Sequence, residues 1–581
     1  MTHLISLIRE KTTQAITRQF SAEIADPMLL EAEITESTQP QFGHYQCNSA
    51  LKIAKILKVN PRQIAKKVAD VVDLYDQEGR RMIEKIEIAG AGFINIFLCS
   101  DFLAKRIESM LSDERLGVPL VNKEKIIVEF SSPNIAKELH VGHLRSTIIG
   151  DALARLFEFL GYDVLRLNHI GDFGTQFGML IAYIQKYESV AFQNTIDLST
   201  LMSWYKKAKH QFDQDPEFKK LSQLEVVKLQ QGNKNSVQIW KRICEVSRAA
   251  FQEIYHLLDV QLIERGESFY SPYLAQIVTD LEQKKLVTIS NRAKCIFLDG
   301  FIGRDNTPLP MIVQKSDGGY NYETTGMAAL YHRVQKEKAT RIIIVTDAGQ
   351  SLHFAMIFKA AEKAQYFDPK QVQLDHVLFG VVLGPDGKKF KTRSGETEKL
   401  IDLLMGAIQR AKQILKSRLP LLSEEELEKS AKILGIDSVK YADLCCHRVK
   451  DYVFSYDRML KFEGNTAAFL LYAYVRIQGI KRKVGKEAVK GPIILSHLSE
   501  AALAFHLCLF PETLQMMSQD LLPNRLCDYL YVLAEKFHAF FRDCRVEGSS
   551  EENSRLLLSE VAAQVLKKGL SILGLQTLER M

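Results

Sequence analysis

Two segments of this 581-residue chain have the residue types needed to handle a triphosphate, and about 245 residues separate them. The first is Ser131–His143, SSPNIAKELHVGH. His140 and His143 flank Gly142, whose missing side chain leaves room for a nucleotide against the backbone. Lys137 adds a cation for charge developing on phosphate. A helix start at the carboxyl end of a strand offers free N–H groups to such an anion. On its own, an H-x-G-H string fits a helix cap as well as a ligand site. The second segment is Gly384–Glu396, GPDGKKFKTRSGE, with Lys388, Lys389, Lys391 and Arg393 close together between glycines. A cationic loop can close over a triphosphate and stabilise charge during transfer, although a solvated turn has the same composition. The pair together points to phosphoryl or nucleotidyl transfer.

The surrounding pattern has to bring the two together. Lys125–Phe130 is a short apolar strand, Leu144–Leu160 has helical spacing, Asp163–Ile170 reads as the next strand and Gly178–Tyr187 as the next helix. This β-α-β-α order predicts a parallel sheet with right-handed crossovers. Polar, helix-like sequence over about 190–290 reads as an insertion. Strand signals return at Arg341–Thr346 and His376–Leu383 and complete the sheet. The expected fold is therefore α/β, with a doubly wound, Rossmann-like catalytic domain at 116–385 and a late loop and helical connector at 386–440. A small α/β domain at 1–115 precedes it, because helical spacing near Ala50–Leu57 leads into strand-like Ile86–Phe97. An all-helical bundle at 441–581 follows, with long amphipathic segments at Asn465–Lys483 and Leu526–Phe541.

Bulk properties exclude several classes. No apolar run reaches the roughly 18 residues of a membrane span, so no membrane partner is expected. Met1–Phe20 reads as a first helix, since it lacks the continuous apolar stretch of a secretion signal. The nine cysteines contain no pair at zinc or redox spacing, which predicts free thiols in a reducing cytoplasm and no metal site. A net charge of +6 permits a polyanionic partner without requiring one. The basic stretch Arg476, Lys481, Arg482, Lys483, Lys486 and Lys490 fits phosphate contact or a solvated helix end equally well.

The order H-V-G-H early and K-F-K-T-R late resembles the paired signatures of class I aminoacyl-tRNA synthetases. The strings SSPNIAKELHVGHLRSTIIGD, LNHIGDFGTQFG (167–178) and KFKTRSGE are similar to the arginyl-tRNA synthetase family, as are NTAAFLLYAYVRIQGI (465–480), FGHYQCNSALKIAK (42–55) and GAGFINIFL (90–98). The resemblance runs through nearly the whole chain. It implies a ligase that activates arginine with ATP, accompanied by Mg2+, and passes it to tRNA(Arg). The first step would require bound tRNA, and a cytoplasmic monomer is expected.

Residue by residue, the resemblance implies that His140, Gly142 and His143 hold ATP, and that Lys389, Lys391 and Arg393 lie over its phosphates. Thr392 stands where the late motif often carries a second lysine, and Lys137 is where relatives compensate. Ser132, Asn134 and His143 would meet the amino and carboxylate groups of arginine, with Tyr322 and Gln350 lining its side-chain pocket. Asn95 would meet a tRNA elbow nucleotide; beside it, Phe93 fits either a core position or stacking on a base of the tRNA. One departure concerns selectivity. Relatives read Y-x-x-x-D where this chain reads Tyr322-Glu-Thr-Thr-Gly326, so the expected carboxylate is absent; Glu323 and Asp347 are the nearby substitutes. The cysteinyl enzyme and a tRNA-binding paralogue without activity are the rival readings. The cysteine spacing weighs against the first, and the intact nucleotide motifs weigh against the second.

Overall fold

A computed structural model describes residues 3–194, 196–303, 305–384, 386–388 and 399–581. The first helix, Leu4–Phe20, buries Leu4, Ile8, Ile16 and Phe20. It packs with an antiparallel sheet of β1 (Ile34–Glu36), β2 (Tyr45–Cys47), β3 (Ile83–Ala89) and β4 (Phe93–Leu98), in the order β1-β2-β4-β3. Between β2 and β3 run helices Ser49–Leu57 and Pro61–Ala69. The second is started by the Asn60 side chain, which accepts the Arg62 N–H at 2.9 Å.

The central sheet contains β5 (Lys125–Glu129), β6 (Asp163–Asn168), β7 (Ile263–Glu264), β11 (Arg341–Asp347) and β12 (Gln373–Phe379). Its order is β12-β11-β5-β6-β7, and every neighbouring pair is parallel. Continuous apolar runs such as Ile126-Ile127-Val128 and Ile342–Val345 suit strands covered on both faces. Alternate residues go to opposite faces. Ile126, Val128, Ile343 and Val345 join one core with the helix Val141–Leu160, whereas Ile127, Ile342 and Ile344 join a second core under the helices Tyr322–Gln335 and Ser351–Lys363. The sheet is doubly wound. From β5 the chain moves outward through β6 to β7 and then returns to β11 on the other side of β5, so strand order reverses between β5 and β11. Ligands of such sheets bind at that reversal, beyond the carboxyl ends of the strands.

Three points of the sequence reading need correction. The stretch 190–290 is not wholly an insertion, because β7 lies within it and forms the edge of the central sheet. Two residues of strand between helices leave too little alternation to detect. The sequence reading also missed a separate antiparallel sheet of β8 (Thr288–Ser290), β9 (Ala293–Ile302) and β10 (Pro308–Gln314). The helix expected at Gly178–Tyr187 runs Thr175–Tyr183 and continues as a π-helical turn, Ile184–Glu188.

From Leu400 onward the described chain is helical apart from β14 (Tyr452–Val453), which pairs in parallel with β13 (Val382–Leu383). Helices Glu424–Leu444, Ala467–Val484, Asn524–Asp543 and Glu552–Ile572 form the bundle. The bundle is joined to the N-terminal unit as well. Ile5 N–H donates to Glu512 Oε1 at 2.8 Å, and the rings of His44 and Phe505 meet edge-on at 4.6 Å. No described helix is long and apolar enough to cross a membrane.

Candidate active site

At the carboxyl end of β5 the backbone does something costly. Ser131, Ser132 and Ala136 all have positive φ, at 70°, 47° and 60°. Each such non-glycine residue costs about 1–3 kcal/mol unless its surroundings fix it. Here three elements fix them. Ser131 N–H donates to Ser146 Oγ at 2.9 Å, and its own hydroxyl meets Tyr255 OH at 2.7 Å. Ser132 N–H donates to Asn168 Oδ1 at 3.0 Å, and Ala136 N–H to Ser247 Oγ at 3.0 Å. Asn134 bridges Gly171 so closely that a Cβ there would fall 2.1 Å from Asn134 Oδ1. A turn held this firmly aims the backbone and side chains of SSPN into the space beyond the strands.

The helix Val141–Leu160 then begins at the histidines. His140 is its N-cap, with Nδ1 accepting the Gly142 N–H at 3.1 Å, while His143 Nδ1 accepts the His140 N–H at 3.1 Å. The capping role is therefore real, and the same bonds fix the tautomer of each ring. With Nδ1 accepting, the ring proton of each neutral imidazole sits on Nε2. Burial, helped by the charge of Lys137, lowers the basicity of both rings. His143 falls to about 3, with His140 adding to the effect. His143 is thus a neutral N–H donor, while the exposed His140 is shifted in the same direction. The space at Gly142 is filled by the His140 ring, 2.9 Å from where a Cβ would lie.

A cavity of about 830 Å³ opens at the strand reversal. Ser132, Asn134, His140, Gly142, His143, Tyr322 and Gln350 all line it, so each of these candidates from the histidine motif and the arginine pocket faces one space. Lys137 is exposed beside it. Lys389, Lys391 and Arg393 lie outside the described residues. The flanks of their segment are described: Val382 lines the cavity, and Lys399 bridges His140 and pairs with Glu138 at 2.7 Å.

The sequence reading missed the acid at the floor of the cavity. Glu129, the last residue of β5, is buried and meets Arg333 Nη2 at 2.5 Å. Glu129 also faces His169, His353 and His376, whose basicity burial lowers, to about 4 for the first two. These residues come from five separate segments, and no spacing rule links them. Only the alternation of β5 could have hinted at Glu129, a charge ending an apolar strand. Gly326 lines the cavity too, but Ile357 Cδ1 lies 2.4 Å from the position of a Cβ there. Asp347 lines the cavity and caps the following turn through Gly349 N–H, at 2.8 Å.

In the N-terminal sheet Asn95 is 1% exposed, with its Oδ1 accepting Gln46 Nε2 at 2.8 Å. Phe93 is half-buried. Among the described residues no cluster of three histidine, cysteine or acidic side chains is arranged to hold a metal ion.

Comparison with known proteins gives this geometry a family. Residues 106–456 match the family described as tRNA synthetases class I (R), catalytic domain, so the fold is that of a class I aminoacyl-tRNA synthetase. Residues 3–98 match the arginyl tRNA synthetase N terminal domain, and 470–581 the DALR anticodon binding domain. The chain belongs to the arginyl-tRNA synthetase family. It is 57% identical to the arginine–tRNA ligase of Protochlamydia amoebophila and 50% identical to that of Chlamydia felis, with all of each chain covered. Among solved structures, the arginyl-tRNA synthetase of Plasmodium falciparum matches with a TM-score of 0.86 at 33% identity over the full length of both. That of Thermus thermophilus shares the fold, with a TM-score of 0.78 at 22% identity.

Proposed function

We propose that the cavity at the β5–β11 reversal is where this arginine–tRNA ligase joins arginine to ATP and then to the 3′-terminal ribose of tRNA(Arg). The observation that carries the reading is that Ser132, Asn134, His143, Tyr322 and Gln350 share one cavity with the histidine motif. A carboxylate oxygen of arginine attacks the α-phosphorus in line and pyrophosphate leaves. The terminal 2′-OH then attacks the carbonyl carbon of the adenylate and AMP leaves. No covalent enzyme intermediate is needed, so the protein contributes alignment and charge.

His140 and neutral His143 donate Nε2–H hydrogen bonds to phosphate oxygens, and His143 does so without bringing a cation that must be desolvated. Lys137, Lys389, Lys391 and Arg393 supply positive charge, and Mg2+ travels with the triphosphate, held by phosphate oxygens and water. Ser132 and Asn134 orient the amino and carboxylate groups. The guanidinium goes to the floor, where Glu129 offers a carboxylate already aligned by Arg333, with Asp347 as the second acid on the cavity wall. Glu323 is outside the cavity lining, but its carboxylate accepts from Tyr322, which lines it. The tRNA elbow is met by Phe93 and by the Gln46–Asn95 amide pair, through whichever edge Gln46 presents. The enzyme works as a cytoplasmic monomer, and its first step requires tRNA.

ATP–pyrophosphate exchange with each amino acid, with and without tRNA(Arg), tests the reading. Exchange that depends on arginine and on tRNA is expected. Exchange with another amino acid would reassign the substrate. tRNA binding without exchange would favour the inactive paralogue, for which Gly326 is the specific argument.

A further inference from the structure

Arg145 lies two residues after His143 on the same helix, and its side chain is 1% exposed. Its Nε sits 3.0 Å from Asp443 Oδ2, on the helix Glu424–Leu444. Its Nη1 donates to Gly380 O at 2.8 Å and to Lys450 O at 3.1 Å. The guanidinium lies 5.7 Å from the Phe379 ring centroid and 5.2 Å from that of Tyr452.

These partners form a wall. Phe379, Gly380, Val381 and Val382 line the cavity along with His140 and His143. Behind them the wall is stitched to residues 448–453. Gly380 N–H donates to Arg448 O at 2.9 Å, Val381 N–H donates to Asp451 Oδ1 at 2.7 Å, and β13 pairs with β14. The approach leaves no room for a side chain at 380, where a Cβ would fall 2.5 Å from Asp451 Oδ1 and 2.8 Å from Lys450 O.

We infer that Arg145 is a positioning residue, which locks the Phe379–Val382 wall at a fixed distance from the histidines and so sets the width of the nucleotide half of the cavity. The ion pair with Asp443 does not explain the arrangement. A buried pair alone is weak support for stability, and it does not require two further carbonyls from two other segments. The planar fork of arginine serves three acceptors at once, which a lysine cannot reproduce. The inference rests on the proposal that the cavity binds ATP for adenylate formation.

The test is arginine-dependent ATP–pyrophosphate exchange on the full chain with saturating tRNA, alongside thermal melting. Arg145→Lys keeps a cation beside Asp443 but loses the fork. It should melt cooperatively, with kcat down by about a hundredfold, the loss typical of misplacing reacting groups by about an ångström, and with KM for arginine within twofold of wild type. Gly380→Ala pushes the wall away while leaving the ion pair intact, and should lower kcat by about tenfold. The double variant Arg145→Met/Asp443→Leu removes both buried charges, and it should also fail in exchange while remaining folded. Wild-type kcat and KM for ATP in folded Arg145→Lys would overturn the inference. Should Arg145→Lys not fold, wild-type kcat in Gly380→Ala or in the folded double variant would overturn it equally. If the wild-type chain itself shows no arginine-dependent exchange, the reading of the cavity falls and the inference with it; variants that fail beside an active wild type support both.

Discussion

As strings of basic residues, the histidine motif and the tail of the helix Ala467–Val484 look alike, yet the chain treats them in opposite ways. Around the motif, Glu129, Ser131, Arg145 and Ser146 are buried, the backbone is strained at three positions, and the His143 imidazole is held neutral. On the bundle helix the cations are largely exposed and balanced locally. Lys481 meets Glu560 at 2.6 Å, Lys483 meets Glu547 at 2.6 Å, and Lys486 meets Glu552 at 2.5 Å. Burying and straining polar groups is costly, and it persists where the surrounding structure over-determines it. Exposed ion pairs cost little and contribute little. The contrast separates a turn whose polar groups are buried and strained from a surface whose cations are exposed and locally paired.

The sharpest way to break the comparison is His143→Ala. Pyrophosphate exchange should fall by about a hundredfold or more, the usual loss for a preorganised donor at developing charge, while tRNA affinity, measured by filter binding, stays within twofold. Unchanged exchange would remove the histidine motif from the mechanism. The neutrality of the ring has its own signature. The folded value, about 3, lies below the ordinary histidine value of 6.5, so the unfolded chain binds the extra proton first. This group's contribution to stability is therefore complete above pH 6.5 and is lost as pH falls toward 3. In an NMR titration the Cε1 proton of His143 should keep its neutral shift down to about pH 5, and a midpoint near 6.5 would show that the ring is not held neutral.

Much of the first region was legible because its signals are local. Apolar runs, a helix start and two flanking histidines all lie within some forty residues, and the alternation of strands and helices implies a parallel sheet. Glu129, Arg333, His169 and His353 were not legible as a group, since only the sheet brings their segments together. The burial of Asn95 follows from β4 being an interior strand, which alternation alone could not establish. In the second region the lysines could be read directly, but their glutamate partners lie some 64–79 residues later, on or just before the last helix. Sequence showed charge there without showing that it was already balanced.

A mid-sized effect is expected at Gly326, where the family resemblance implies an aspartate. Gly326→Asp alone would drive its Cβ into Ile357, so the informative protein is Gly326→Asp/Ile357→Val. If Glu129, shared with Arg333, holds the substrate guanidinium incompletely, a second carboxylate should lower KM for arginine by about tenfold, near the lower range for a charge-assisted hydrogen bond. Ile357→Val alone is the control for the enlarged cavity. An unchanged KM in the double variant would show that Glu129 and Asp347 already suffice, and that the missing aspartate carries no cost here.

The smallest effect should come from the bundle. Arg482 donates to the carbonyl of Glu579 at 3.3 Å, and the Lys483 side chain is 72% exposed despite its pairing with Glu547. Both can turn toward a phosphate without unpacking anything. Because part of this charge is already neutralised by glutamates, Arg482→Glu/Lys483→Glu should raise KM for tRNA only about threefold. The slope of log affinity against log salt should fall by about one for each phosphate that the variant no longer neutralises. Adenylate formation, once tRNA is saturating, should be unaffected, which distinguishes this surface from the cavity. Glu547→Gln probes the same face in the other direction. Freeing Lys483 from its partner should tighten tRNA binding by about twofold at low salt, and the gain should vanish at high salt, where exposed charges are screened. If all three proteins bind tRNA with one affinity and one salt slope, this face meets only solvent. The lysines would then serve to hold the last helix against its neighbour, and the surface that meets tRNA must be sought elsewhere on the bundle.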